Sequence, residues 1–154
     1  MSPHVGTHAD APGHVLAGGA AIGDVPLDAY VGRARVIDLP IRGEVGADAL
    51  PPRSLRVPRV LFRTRGKAFL SPLAALRLVE RGAILVGTDA LSIDPADAED
   101  LPAHHTLLSR GVALLESLAL DSVEPGDYQL VALPLRFDGL DASPVRAILI
   151  RGGV

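Results

Sequence analysis

Residues 4–14 read HVGTHADAPGH, a run that combines three imidazoles with one carboxylate. The four side chains belong to His4, His8, Asp10 and His14. A helix is disfavoured here, because glycine has a high backbone entropy and proline removes a donor and keeps the preceding residue out of the α region. We therefore expect an extended segment, in which alternate side chains point to the same face.

The extended backbone puts His4, His8 and Asp10 on one face. In a full strand the two histidine Cα atoms would lie about 13 Å apart, near the limit at which both imidazoles reach one ion. We therefore predict a bend or bulge at residues 6–7. Imidazole nitrogens with a carboxylate oxygen suit a divalent first-row metal, most often zinc. A frayed, tag-like terminus is the competing interpretation, and the Gly-Thr and Ala-Pro pairs between the histidines are unlike a purification tag.

Length and composition restrict the class of protein. The chain has 154 residues, 48% of them hydrophobic and 21% charged, which predicts a single globular domain spanning residues 1–154. A formal net charge of −3 argues against nucleic acid or an anionic membrane as partner. The chain has no cysteine, which fits a reducing cytoplasm and removes thiolates as metal ligands. With no long apolar run in the sequence, we expect a soluble, cytoplasmic protein.

The hydrophobic pattern predicts strands interrupted by short helices. Ser71 is placed to cap a helix that Pro72 begins and Gly82 ends, with an apolar stripe of Leu73, Leu76 and Val79. Pro102 introduces a second helix. Apolar or alternating runs predict strands at residues 33–39, 59–64, 83–86, 112–116, 128–135 and 145–150. This order predicts an α+β fold with a mixed sheet and two or three short helices.

Polar residues follow the predicted strand at residues 83–86. These side chains, Asp89, Ser92 and Asp94, can form turns, or can orient metal ligands by hydrogen bonding to them. Pro95 favours the turn interpretation for Asp94.

The run at residues 4–14 matches, position for position, the HxGTHxDxPxH signature of the cyclase-like metal-dependent hydrolases, a family that includes bacterial kynurenine formamidase. The resemblance continues through residues 18–39, 80–95, 104–117 and 126–150. It implies the family's swivelling β/β/α fold and assembly as a homodimer. Because related proteins carry several tens of residues before the signature, we also expect this chain to lack the family's usual N-terminal segment.

The resemblance also implies roles for individual residues. One metal would be held by His4, His8 and Asp10. Asp10 and Glu116 would bridge to a second metal, which His104 also binds. The family's twelve-residue spacing to the glutamate selects His104 rather than His105, and a chain reversal at Gly111 would let the pair meet.

By the same resemblance His14 would be the general acid and base, since imidazole exchanges protons near neutral pH. A role for His14 as a further metal ligand remains the competitor.

The activity implied is metal-assisted hydrolysis of N-formylkynurenine to kynurenine and formate, with two divalent ions per chain, zinc first and manganese as the alternative. A related enzyme that opens a lactam such as isatin would share every metal ligand. A third interpretation is a truncated, non-catalytic remnant that still binds metal.

Overall fold

The computed structural model describes residues 2–51 and 57–152. It contains two α-helices, α1 (Pro72–Glu80) and α2 (Pro102–Leu108). The strands are β1 (His8–Asp10), β2 (Val31–Asp38), β3 (Gly43–Val45), β4 (Arg59–Arg63), β5 (Ala68–Leu70), β6 (Leu85–Thr88), β7 (Ala113–Glu116), β8 (Gly126–Val131), β9 (Ala142–Pro144) and β10 (Ile148–Ile150). Single 3₁₀ turns occupy Pro12–His14, Ile22–Asp24, Leu27–Tyr30 and Ala47–Ala49.

Eight strands form one mixed sheet in the order β10-β8-β2-β4-β6-β7-β1-β9. The central strands β2, β4, β6 and β7 are parallel, and the outer pairs are antiparallel. Strands β3 and β5 form a separate parallel pair. Every residue of β6 and β7 is buried, as expected for parallel strands covered on both faces. The predicted α+β fold with a mixed sheet is confirmed.

The sheet is curled. Strand β9 lies at one edge and β10 at the other, yet only residues 145–147 connect them. Four residue steps span at most about 14 Å, so the two edges approach each other closely. One apolar cluster, which includes Phe62 and Val86, packs beneath the helices on one face. A second, which includes Tyr30 and Leu130, fills the other face.

Helix α1 begins and ends where the sequence predicts, but presents a different face. The Ser71 side chain accepts a hydrogen bond from the amide of Ala74, and Gly82 leaves the helix with φ +83°. The predicted stripe of Leu73, Leu76 and Val79 is wrong at Leu73, whereas Val79 is half-buried and packs against the core. Ala74, Ala75 and Leu78 are buried instead, and Leu73 is 58% exposed. The two alanines let the helix backbone lie close to the core, which turns Leu73 outward.

The predicted strands at residues 128–135 and 145–150 differ from the structure for one reason. Strand β8 ends at Val131, the last residue that pairs with β2 and β10. The chain then crosses to the far edge of the sheet, forms β9 against β1, and returns to form β10. A pattern of apolar residues does not reveal such crossings. Within the described residues, none of the helices has the length and apolar character needed to cross a membrane.

Candidate metal centre

Two neighbouring strands supply the buried core of the site. In the antiparallel pair of β1 and β7, His8 faces Glu116 and Asp10 faces Leu114. Because side chains alternate along a strand, His8, Asp10 and Glu116 project from the same face of the sheet. They are only 3%, 1% and 4% exposed. The Nε2 atom of His8 lies 3.5 Å from Oδ1 of Asp10 and 3.5 Å from Oε2 of Glu116.

His4 reaches this cluster through a bend in the chain before β1. Gly6 has φ +62°, a left-handed conformation that glycine adopts without a steric penalty. The bend brings Nδ1 of His4 to 3.0 Å from Oδ1 of Asp10. A straight strand would have kept the two histidines about 13 Å apart. The bend is therefore present where the sequence predicts one.

Helix α2 brings His104 to the same carboxylates. Gly111, with φ +71°, ends the segment after the helix and lets the chain return along β7. Nε2 of His104 then lies 3.4 Å from Oδ2 of Asp10 and 3.2 Å from Oε1 of Glu116. His104 is 2% exposed, whereas the neighbouring His105 points to solvent. The structure thus brings His104 and Glu116 to the amino-terminal cluster and leaves His105 outside it.

The ligand atoms form two groups that share one carboxylate. His4, His8 and Asp10 make the first group, and Asp10, His104 and Glu116 make the second; within each group the atoms lie within 4.8 Å of one another. Around a tetrahedral ion with bonds of about 2.1 Å, ligand atoms are about 3.4 Å apart. The separations of 3.0–3.5 Å between imidazole nitrogens and carboxylate oxygens in the two groups lie close to that value.

The carboxylate of Asp10 is the feature that fits a bound cation most clearly. Both of its oxygens are buried, and neither has a hydrogen-bond partner of acceptable geometry among the residues that the structure describes. A buried, unsatisfied carboxylate costs several kcal/mol unless a cation compensates it. The residues present therefore fit divalent metal ions held by nitrogen and oxygen ligands.

The electrostatics of the cluster follow from this crowding. Burial alone raises the pKa of Asp10 and of Glu116, but the imidazoles around them, His104 foremost, outweigh it and leave both pKa values below their usual range. Burial lowers the pKa of His104, and the adjacent carboxylates raise it to about 11. Without a metal, protonated imidazoles supply the positive charge that the carboxylates require.

Hydrogen bonds behind the cluster orient two of the imidazoles. Nδ1 of His8 lies 2.8 Å from the carbonyl oxygen of Gly6, and Nδ1 of His104 lies 2.7 Å from Oδ2 of Asp94. With Nδ1–H donating to these oxygens, Nε2 of each ring is left to face the cluster. Glu116 is also fixed, because its Oε1 accepts a hydrogen bond of 2.7 Å from the amide of Ile93.

Asp94 contacts a cluster residue, which is the second of the two roles that the sequence allowed and not the turn role that Pro95 favoured. Its carboxylate accepts hydrogen bonds from the amides of Ala103 and His104 as well as from the His104 ring. Burial raises the pKa of Asp94, but these donors lower it by more. Asp89, by contrast, accepts hydrogen bonds from the amides of residues 64–66 and only stabilises that loop.

His14 lies beside the cluster, on the 3₁₀ turn that follows β1. Its ring centroid is 4.5 Å from that of His4 and 5.5 Å from that of His104. It also lines an open cavity of about 590 Å³, whose wall includes Leu101 and Thr106. His14 therefore stands between the candidate metal ligands and a space in which a small molecule fits.

Sequence reasoning missed Asp141, which lies 2.9 Å from His14 through its Oδ2 and the Nδ1 of the ring. The same oxygen is 3.2 Å from Nε2 of His4. The only signal in the sequence was a connection at residues 137–144 containing a glycine and two aspartates. His4, His14 and Asp141 form a third group with the spacing of metal ligands, so this geometry leaves the ligand role for His14 open.

Comparison with known proteins identifies relatives of this chain. The sequence profile of a family described as "Putative cyclase" matches residues 1–95. A kynurenine formamidase of Paracidovorax citrulli (strain AAC00-1) is 48% identical over 166 residues, covering 97% of this chain and 76% of that protein.

Solved structures show the same fold. One described as a potential metal-dependent hydrolase with cyclase activity superposes with a TM-score of 0.90 at 36% identity, covering 97% of this chain and 79% of that one. Isatin hydrolase A of Labrenzia aggregata superposes with a TM-score of 0.82 at 26% identity, covering 99% of this chain and 75% of that one. The chain belongs to the putative cyclase family.

Proposed function

We propose that this chain is a metal-dependent amide hydrolase that converts N-formylkynurenine to kynurenine and formate. The observation that carries the chemistry is the buried carboxylate of Asp10, whose oxygens accept no hydrogen bond of acceptable geometry from the described residues and lie among three imidazoles and a second carboxylate. The choice of substrate is supported by 48% identity to a kynurenine formamidase over nearly the whole chain. A small molecule is also the kind of substrate that the cavity beside His14 accommodates.

Five side chains would hold the ions. His4, His8 and Asp10 would bind one, and Asp10, Glu116 and His104 the other, with zinc as the first candidate and manganese as the alternative. When bound, divalent ions supply Lewis acidity, which lowers the pKa of water and stabilises negative charge on the substrate oxygen. The two ions per chain, the zinc identity, the homodimer and the cytoplasmic location remain predictions.

The chain's own contribution to the reaction centres on His14. Hydrolysis adds water to the formyl carbon and breaks the bond between that carbon and the aryl nitrogen, which must gain a proton as it leaves. Nδ1 of His14 faces Asp141, so Nε2 is the nitrogen available to take a proton from water and to deliver one to the departing amine. Its place at the cavity wall puts it beside a bound substrate.

A second candidate is hydrolysis of a cyclic amide such as isatin. The structural likeness to isatin hydrolase A favours it, because opening a lactam breaks the same type of C–N bond and needs the same acid–base group. At 26% identity the support is weaker than for the formamidase.

The experiment compares metal-loaded wild type with a His14 variant and a surface control on a panel of N-formylkynurenine, simple formanilides and isatin. His14→Ala should lower kcat by about 10² to 10⁴, the usual contribution of general acid–base catalysis, while retaining its metal. Glu80→Gln, at an exposed carboxylate on α1 that does not line the cavity, is the control and should behave as wild type.

Each other result has a definite meaning. Activity on isatin without activity on formanilides would select the second candidate. Loss of metal from His14→Ala would make His14 a ligand. A metal-loaded wild type that hydrolyses none of these amides would overturn the proposed function.

A further inference from the structure

We infer that Asp141 is a positioning residue for His14, holding the imidazole with Nδ1–H on the carboxylate and Nε2 directed to the substrate. This inference rests on the proposed function and deepens it. The pair is joined by a contact of 2.9 Å between Oδ2 of Asp141 and Nδ1 of His14. A carboxylate at Nδ1 selects the tautomer whose Nε2 is bare, and it stabilises the imidazolium that forms once Nε2 takes a proton.

The backbone around Asp141 is fixed relative to His14. The carbonyl of Asp141 accepts a hydrogen bond of 2.8 Å from the amide of Ala11, three residues before His14. Immediately afterwards β9 pairs with β1, with Ala142 opposite Asp10. The carboxylate and the imidazole are therefore carried by two segments that the sheet holds in register, as a preorganised pair requires.

The turn that carries His14 is anchored as well. The amide of Gly13 donates to the carbonyl of Ala20 over 2.9 Å, and the amide of His14 donates to the carbonyl of Ala11 over 3.0 Å. Among the residues that the structure describes, Asp141 is the one hydrogen-bond partner of the His14 ring. The carboxylate is 41% exposed, so substitution leaves no large buried void and tests the contact itself.

Asp141 has two competing roles that the experiment must separate. Its Oδ2 also lies 3.2 Å from Nε2 of His4, so the first competing role is to orient that proposed metal ligand. It also belongs to the group of three side chains, with His4 and His14, whose spacing suits a metal. Either role would make the metal content depend on Asp141, whereas the positioning role acts through His14 alone.

The experiment measures kcat, KM and metal content for Asp141→Asn and Asp141→Glu in the metal-loaded protein. We expect Asp141→Asn to lower kcat by about 10- to 100-fold, with KM and metal content close to wild type, because an amide cannot select the tautomer or balance the imidazolium. Asp141→Glu keeps the charge and should recover part of kcat. Asp138→Asn, at an exposed carboxylate in the same connection, is the control and should leave kcat unchanged.

A double-mutant cycle shows whether Asp141 acts through His14. If it does, adding Asp141→Asn to His14→Ala should cause no further loss, because residues that act as a unit are not additive. The full loss appearing again in the His14→Ala background would overturn the inference. A fall in metal content in Asp141→Asn would overturn it too.

A spectroscopic measurement keeps the inference testable apart from activity. In the wild type, ¹⁵N-edited NMR should show a downfield Nδ1–H proton that His14→Ala removes and that Asp141→Asn shifts or abolishes. If the wild type hydrolyses no amide, the proposed function fails, while this resonance still decides whether Asp141 holds His14. Absence of the resonance in the wild type would refute the inference even if the enzyme is active.

Discussion

Asp94→Asn tests whether a residue outside the proposed ligand set strengthens metal binding by orienting His104. Asp94 accepts three hydrogen bonds, from the His104 ring at 2.7 Å, the His104 amide at 3.0 Å and the Ala103 amide at 2.8 Å. An amide keeps one acceptor oxygen but presents an N–H₂ group to the other donors. An N–H₂ group beside the ring favours the tautomer in which Nδ1 of His104 accepts and Nε2 carries the proton. Nε2 is the nitrogen that faces Asp10 and Glu116.

The expected loss of metal affinity follows from that change in the tautomer of His104. Removing the partner that orients a ligating histidine typically weakens metal binding by about 10- to 100-fold. This corresponds to about 1.4 to 2.8 kcal/mol. Only one ion should be affected, because His104 belongs to one of the two ligand groups. Asp94→Asn should therefore show one metal bound as in the wild type and one bound about 10- to 100-fold more weakly.

The assay is a zinc titration in competition with a chelator of known affinity, followed by fluorescence or calorimetry. Asp97→Asn, at an exposed carboxylate three residues further along the same loop, is the matched control. Unfolding by urea in the absence of metal confirms that each variant is folded. Two unchanged affinities in a folded Asp94→Asn protein would refute the assignment of Asp94 as the partner that orients His104.

Two further predictions concern the fold around the centre. In the metal-free protein the pKa of His104 is about 11, above the 6.5 of an unfolded histidine. The contribution of His104 to the free energy of unfolding is therefore complete below pH 6.5 and declines as the pH rises. Urea unfolding in the presence of a chelator should show a lower stability at pH 9 than at pH 6.5, and a higher stability at pH 9 would contradict this. A Cβ at Gly19 would lie 2.6 Å from the carbonyl carbon of Pro12 and 2.7 Å from the amide nitrogen of Gly13. Gly19→Ala should therefore lower the free energy of unfolding by about 1–3 kcal/mol, measured with urea. The control Gly46→Ala, with nothing within 4 Å of its Cβ, should lower it little. Equal unfolding midpoints for the two variants would show that the turn carrying His14 is not tightly packed.

The features of the fold that depend on a few neighbouring residues could be predicted from the sequence. The bend before β1 needs a residue that tolerates φ +62°, and Gly6 supplies it. The capped start of α1 at Ser71 and its end at Gly82 follow from the same kind of rule. The family and the α+β class were also predictable, because the signature at residues 4–14 carries both.

Contacts between distant segments were beyond the sequence. Asp141 and His14 are 127 positions apart, and they meet only because the three-residue strand β9 pairs with β1. A strand that short leaves no detectable pattern in the sequence. The partners of Asp94 could not be predicted for a similar reason, since they are at the start of a helix nine and ten residues later. The exposed position of Leu73 was missed because the distance of α1 from the core depends on the neighbouring alanines.

The central claim is that side chains from both ends of the chain form one centre for two divalent ions. Its most direct measurement is the number of metal ions per chain, determined by atomic emission after dialysis against zinc, in the wild type and in His104→Ala. We predict about two for the wild type and about one for the variant, because removal of His104 empties only the group that it shares with Glu116. No bound metal in the wild type, or the same number in both proteins, would contradict it.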